Sequence, residues 1–136
     1  MTDYVFTQRK PESFDWVAAR AACSLLVIFE KLKLQIKSDI ESRNATRPPN
    51  MQYAFSFVDG KTTRFSVVVE GNQVRDSLEF SLEEYIYVRG KNGVILKADV
   101  ALCDDGECRV KIDGQAFDLW QVRKKALEEF FFGHRE

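Results

Sequence analysis

The stretch "MQYAFSFVDGKTTRFSVVVEGNQV", residues 51–74, decides the fold, because the spacing of apolar residues changes there. Met51, Tyr53, Phe55 and Phe57 fall on every second position, and so do Thr63, Phe65, Val67 and Val69. A period of two is the mark of a strand with one buried face. The alternation continues through Val74, Leu78, Phe80 and Leu82, then Ile86 and Val88, then Leu96, Ala98, Val100 and Leu102. Between the runs lie "VDG", "GN", "KNG", "DDG" and "DG", all hairpin signals. The opposite parity carries Arg64, Ser66, Glu70, Arg75, Glu79, Arg89, Lys97, Asp99, Arg109 and Lys111. Residues 51–117 therefore predict an antiparallel meander of six to seven strands, wet on one face and buried on the other.

Upstream the period is helical. Val17, Ala21, Leu25, Ile28, Leu32, Ile36 and Ile40 form a stripe, and "RPPN" at 47–50 stops it, so residues 13–44 predict one long helix. From Trp16 to Phe29 only Arg20 and Ser24 are polar, which predicts cover on more than one side of that half. Downstream, Asp118 and Gln121 have capping-box spacing ahead of a C-terminal helix over 119–132, which Gly133 can end. Residues 1–12 read as an N-terminal arm. The fold class is α+β in a single domain, 1–136: a long N-terminal helix on the buried face of the meander and a short C-terminal helix.

"CDDGEC", residues 103–108, tests the register. A two-residue turn at Asp105-Gly106 would set Cys103 opposite Cys108, but it would also pair Leu102 with Arg109 and Val100 with Lys111. A three-residue loop, Asp104-Asp105-Gly106, pairs Leu102 with Cys108, Val100 with Val110 and Asp99 with Lys111, so both faces agree. Cys108 then faces in and Cys103 out, and the two cannot be bridged through the sheet. The same loop length predicts Phe57 opposite Lys61 and Phe55 opposite Thr63 at "VDG", and Val88 opposite Leu96 at "KNG". All three cysteines are expected to be free thiols.

The bulk numbers bound the function. The chain has 136 residues, 45% hydrophobic and 30% charged, with a formal net charge of -1. That balance gives no global field for nucleic acid or anionic lipid. An odd count of three cysteines, and a start without a secretory pattern, read as a reducing compartment and a cytoplasmic protein. The most apolar window spans 14 residues, short of the roughly 20 that cross a bilayer. No membrane partner is expected.

Chemistry is sparse. His134 is the single histidine, Cys23 stands alone in the first helix, and "DDGE" lacks the spaced oxygens of a calcium loop. Glu83 and Glu84 are adjacent in a bend, where neighbouring side chains diverge. No catalytic residue, metal ligand or cofactor is assigned, and the chain is read as no enzyme.

The leading expectation is a non-catalytic interaction or adaptor module that binds a protein partner or itself. Phe130, Phe131 and Phe132 are its candidate contact. At about 100° per residue, Phe130 and Phe131 share the side of Ala126 and Leu127 while Phe132 points away. It either curls back into its own core or is covered by a second chain, most simply in a homodimer. The alternative is a small apolar ligand held between helix and sheet, in a pocket lined by Tyr53, Phe55, Phe57, Phe65 and Phe80. A third reading places single-stranded nucleic acid on the open sheet face, over Tyr85, Tyr87, Arg89 and Lys97. Glu70, Glu79, Asp99, Glu107 and Asp113 share that face and argue against it.

Overall fold

Seven strands follow one another in space in the order of the chain. The structure, a computed structural model, describes residues 10–71 and 74–133. The strands are β1 (Ala54–Asp59), β2 (Arg64–Gly71), β3 (Val74–Leu82), β4 (Ile86–Gly90), β5 (Gly93–Leu102), β6 (Cys108–Ile112) and β7 (Gln115–Phe117), paired antiparallel throughout. They are preceded by α1 (Trp16–Ala22) and α2 (Leu25–Thr46), and followed by α3 (Leu119–Phe132). The arrangement is α+β, as the change of period predicts.

Alternation fills one face of the sheet. Phe55, Phe65, Val67, Val69, Leu78, Phe80, Ile86, Val88, Leu96, Ala98 and Val110 are buried, and Ile28, Phe29, Leu32, Ile36 and Ile40 of α2 lie against them. Phe65 stacks on Phe80 with ring centroids 4.8 Å apart and meets Phe29 at 5.3 Å. α3 adds Val122, Ala126, Leu127, Phe130 and Phe131 to the same core. α2 ends where the sequence requires: Arg47 is extended ahead of Pro48, which excludes the helical region for the residue before it. At the start of α3, the Asp118 N–H donates to Gln121 Oε1 at 2.8 Å.

The loop at "CDDGEC" has the predicted register. Leu102 pairs with Cys108, Val100 with Val110 and Asp99 with Lys111. The Gly106 N–H closes the turn on the Cys103 carbonyl at 2.9 Å, and Gly106 has φ +86°, which a side chain rarely tolerates. At "KNG" Val88 does pair with Leu96, but a bulge after Val88 brings Gly90 opposite Gly93.

The structure corrects the sequence reading at four places. The long helix over 13–44 is two helices. Ser24 caps the second by accepting the Val27 N–H at 3.2 Å, and Asp15 caps the first by accepting the Ala18 N–H at 3.0 Å. A serine inside an apolar helical pattern fits a helix interior or a new N-cap equally in sequence, and here the cap wins. Secondly, α1 buries none of its residues, so the expectation of cover around Trp16–Phe29 holds only from Cys23 onward, at Cys23, Ile28 and Phe29. Thirdly, the "VDG" loop runs on through Gly60–Thr63. Phe57 faces Val67 and Phe55 faces Val69, which keeps Lys61 out of the apolar face. Fourthly, Cys23 and Cys108 form a disulfide with Cα atoms 5.4 Å apart, and Cys103 is the free thiol. The register argument excludes only the 103–108 bridge. It leaves Cys108 facing inward, where the break between α1 and α2 lowers Cys23 onto it.

Two outcomes are expected. The protein unfolded without reductant should expose one titratable thiol, and with reductant three; three in both cases would remove the bridge. Closing so long a loop should contribute about 4–5 kcal/mol in the chain-entropy account. Ile36→Ala, in the fully buried stripe, should cost about 2–5 kcal/mol in denaturant melts, whereas Leu34→Ala, at a position 66% exposed, should stay within about 0.5 kcal/mol.

Candidate interaction surface

Apolar side chains left over by the core mark where the surface is unusual. Trp16 is 63% exposed and Val17 59%, both on α1, which contributes nothing to the core. Leu26 and Leu34, about two turns apart on the outer part of α2, are also exposed. α1 is held at its ends. Its C-terminal end runs into the Cys23–Cys108 bridge, and the Arg20 guanidinium donates to the Cys23 carbonyl at 3.0 Å. On its N-terminal side, Lys10 pairs with Glu107 at 2.7 Å and its stem lies over Gly106, where an added Cβ would meet it at 2.7 Å. The "CDDGEC" loop is thus the fixture that the chain before α1 is fastened to. Sequence reasoning missed this face because an all-round apolar helix ordinarily signals burial.

The loop is itself braced. Arg109 pairs with Asp105 at 2.9 Å and with Asp118 at 3.2 Å. The guanidinium and the Glu107 N–H hold the Asp105 carboxyl below the usual carboxylate range, and Asp105, followed by Cys103, raises Arg109 further above its ordinary value. Cys103 stands half-buried on the outer face next to these groups.

The three phenylalanines divide. Phe130 and Phe131 are buried in the chain's own core, their rings 5.8 and 4.9 Å from that of Phe55. Phe132 is 66% exposed, and its ring lies 4.4 Å from the Arg43 guanidinium carbon. Arg43 is only 6% exposed and donates from Nε to the Phe131 carbonyl at 2.9 Å. Phe131 is in the last turn of α3, where carbonyls lack helical partners. Phe132 therefore neither enters the core nor stands free: it roofs a buried cation.

The residues named for nucleic acid do come together on the outer face. Lys97 Nζ lies 4.3 Å from the Tyr85 ring centroid, the Arg89 guanidinium 4.5 Å from that of Tyr87, and the two rings meet edge-on at 6.3 Å. Arg89 is also bound to Glu83 at 3.0 Å and to Ser81 Oγ at 2.9 Å, and these two donors hold the Glu83 carboxyl below its usual range. Nearby Arg64 pairs with Glu79 and Arg75 with Glu70. Both tyrosine faces named are thus already covered by cations of the same sheet.

Tyr53, Phe55, Phe57, Phe65 and Phe80 pack on one another and on their neighbours, with Phe57 5.3 Å from Phe65 and Tyr53 6.1 Å from Phe55. Among the described residues no three His, Cys, Asp or Glu side chains converge as a metal would need, and no helix is long and apolar enough to cross a membrane. No protein-family model matches the chain, and neither a curated protein nor a solved structure matches it.

The Arg43 assembly should behave as a unit. Arg43→Met leaves the Phe131 carbonyl unpaired and should cost about 1–3 kcal/mol, and Phe132→Ser about 0.5–1 kcal/mol. The double variant should lose less than the sum, because the second change removes a contact the first has already broken. Strict additivity in paired denaturant melts would separate the two residues.

Proposed function

We propose that the chain is a non-catalytic interaction module that self-associates through α1 and the adjoining outer part of α2. One observation carries the reading: a seven-residue helix containing Trp16 and Val17 has no buried residue within its own chain. Exposed apolar clusters of this kind often mark contacts between proteins. A second copy is the partner of choice, since a net charge of -1 puts little repulsion between copies. A two-fold arrangement would lay α1 of one copy against the same face of the other.

Phe130 and Phe131 are occupied in the core, and Phe132 serves Arg43, so α1 replaces them as the contact in this reading. The nucleic-acid reading is weaker, because Arg89 and Lys97, the cations beside the two tyrosines, already have a ring or a carboxylate. The expectation of a cytoplasmic location draws partly on an odd count of three cysteines. The Cys23–Cys108 bridge speaks for an oxidising compartment instead.

Light scattering over a range of concentrations tests the proposal. The native chain should show a dimer mass that the Trp16→Ser, Val17→Ser double variant loses, with unchanged circular dichroism and melting, because neither side chain is buried. A native chain that stays monomeric, or a variant that stays dimeric, would sink it.

A further inference from the structure

A cleft of about 700 Å³ opens between β3, the β4–β5 hairpin and α3, within the size range of small-molecule sites. It shares no residue with the α1 face, and it is not the aromatic-lined space expected between the long helix and the sheet. Its floor is apolar: Leu78, Ile95, Ala126 and Phe130. The bulge after Val88 helps to make it. An extra residue in β5 changes the facing of its neighbours, and Ile95, 52% exposed, comes over Gly90 beside Leu78. A Cβ at Gly90 would meet Ile95 Cδ1 at 3.0 Å and Leu78 Cδ2 at 3.5 Å, so the missing side chain is what keeps the floor level.

The rim is charged, and its charges are unequally occupied. Arg75 is paired with Glu70 at 3.3 Å. Asp76 accepts the Ser77 N–H at 2.8 Å. The Glu129 carboxylate is turned toward Gly133, at the far end of α3. Lys125 rests on the Phe117 ring at 4.5 Å, and its ammonium has no carboxylate partner among the described residues. Lys91, in the hairpin turn, has no ion pair among the described residues. The acids of the rim are turned aside or engaged, while two lysines can reach an incoming group.

We propose that this cleft binds a small amphipathic anion: a carboxylate whose apolar chain lies on Leu78, Ile95, Ala126 and Phe130 and whose head meets Lys91 and Lys125. A body of about ten carbons suits an open site of this volume. The apolar floor supplies attraction, and the lysines decide the sign of the head group.

Three probes with one chain length separate these contributions: decanoate, decanol and decylamine, each below its micelle concentration and followed by amide chemical shifts. Decanoate should give saturable shifts at Leu78, Ile95, Ala126 and Phe130, and bind at least about tenfold more tightly than decylamine, with decanol between. Lys91→Glu should weaken decanoate about fivefold or more and narrow its lead over decylamine. Ile95→Asp should abolish the shifts; both positions are exposed, so neither variant should unfold. Equal binding of decylamine and decanoate, shifts confined to residues outside the cleft, or no saturable shift at all would each overturn the proposal.

Discussion

A guanidinium held almost out of water is the constraint around which this molecule closes. Arg43 occupies the last turns of α2 and has no carboxylate among its described partners. It is satisfied by the Phe131 carbonyl, by the ring faces of Phe55 and Phe132, and more distantly by the Met51 sulfur at 3.9 Å. A buried cation is tolerable only when donors and charge are both answered. Here the negative end of α3 answers part of the charge and two rings answer more. The arrangement ties three elements at one point: α2 through Arg43, β1 through Phe55, and α3 through its last turn. Removing any of the three leaves a charge or a carbonyl exposed to an apolar wall.

The same junction protects an edge. An open meander leaves the outer side of β1 unpaired, a ready template for further strands. Asn44, the next residue of α2, receives the Phe55 N–H at 3.0 Å and donates to the Phe55 carbonyl at 2.8 Å, imitating a neighbouring strand. Arg47 donates to the Tyr53 carbonyl. Lys33 pairs with Asp59 at 2.9 Å, and Lys37 lies 4.7 Å above the Phe57 ring. A helix laid along the first strand thus takes over the edge bonds of Phe55 and covers its neighbours, where an eighth strand would compete. The other edge, β7, is only three residues long.

What could be read from the sequence was what depends on local period. The strand alternation, the register at Cys103–Cys108 and the whole of α3 are set by neighbours within a dozen residues, and the pattern states them directly. The contact between α1 and the sheet is different in kind. Whether Ser24 caps a new helix depends on whether Cys23 has something to reach, and that something is in β6. The bridge was therefore invisible until the helix was placed across the sheet. Arg43 had a fainter signal: it falls three residues after Ile40, on the line of the apolar stripe, where an arginine demands explanation. The candidate surfaces divide likewise. Phe132 facing outward follows from helix geometry, but the cation beneath it does not. The exposure of Trp16 runs against what its apolar surroundings imply.

The Cys23–Cys108 bridge has a mechanical meaning as well. It encloses α2 and the first five strands in one covalent ring, with a sequence separation of 85 residues, closes on the first residue of β6, and leaves the rest of β6, β7 and α3 on the tail beyond it. A pull on the two chain ends cannot be transmitted along that ring. It bypasses the helix-on-sheet core and loads the bridge instead, withholding roughly 300 Å of contour length at full extension. Among the described residues, the parts outside the ring are the chain from Lys10 through α1 and the segment from Arg109 that carries β7 and α3. The protein is thus built as a covalently closed hub of α2 and five strands, with the exposed α1 on one side of the ring and, on the other, α3, whose apolar side the hub's core holds in place.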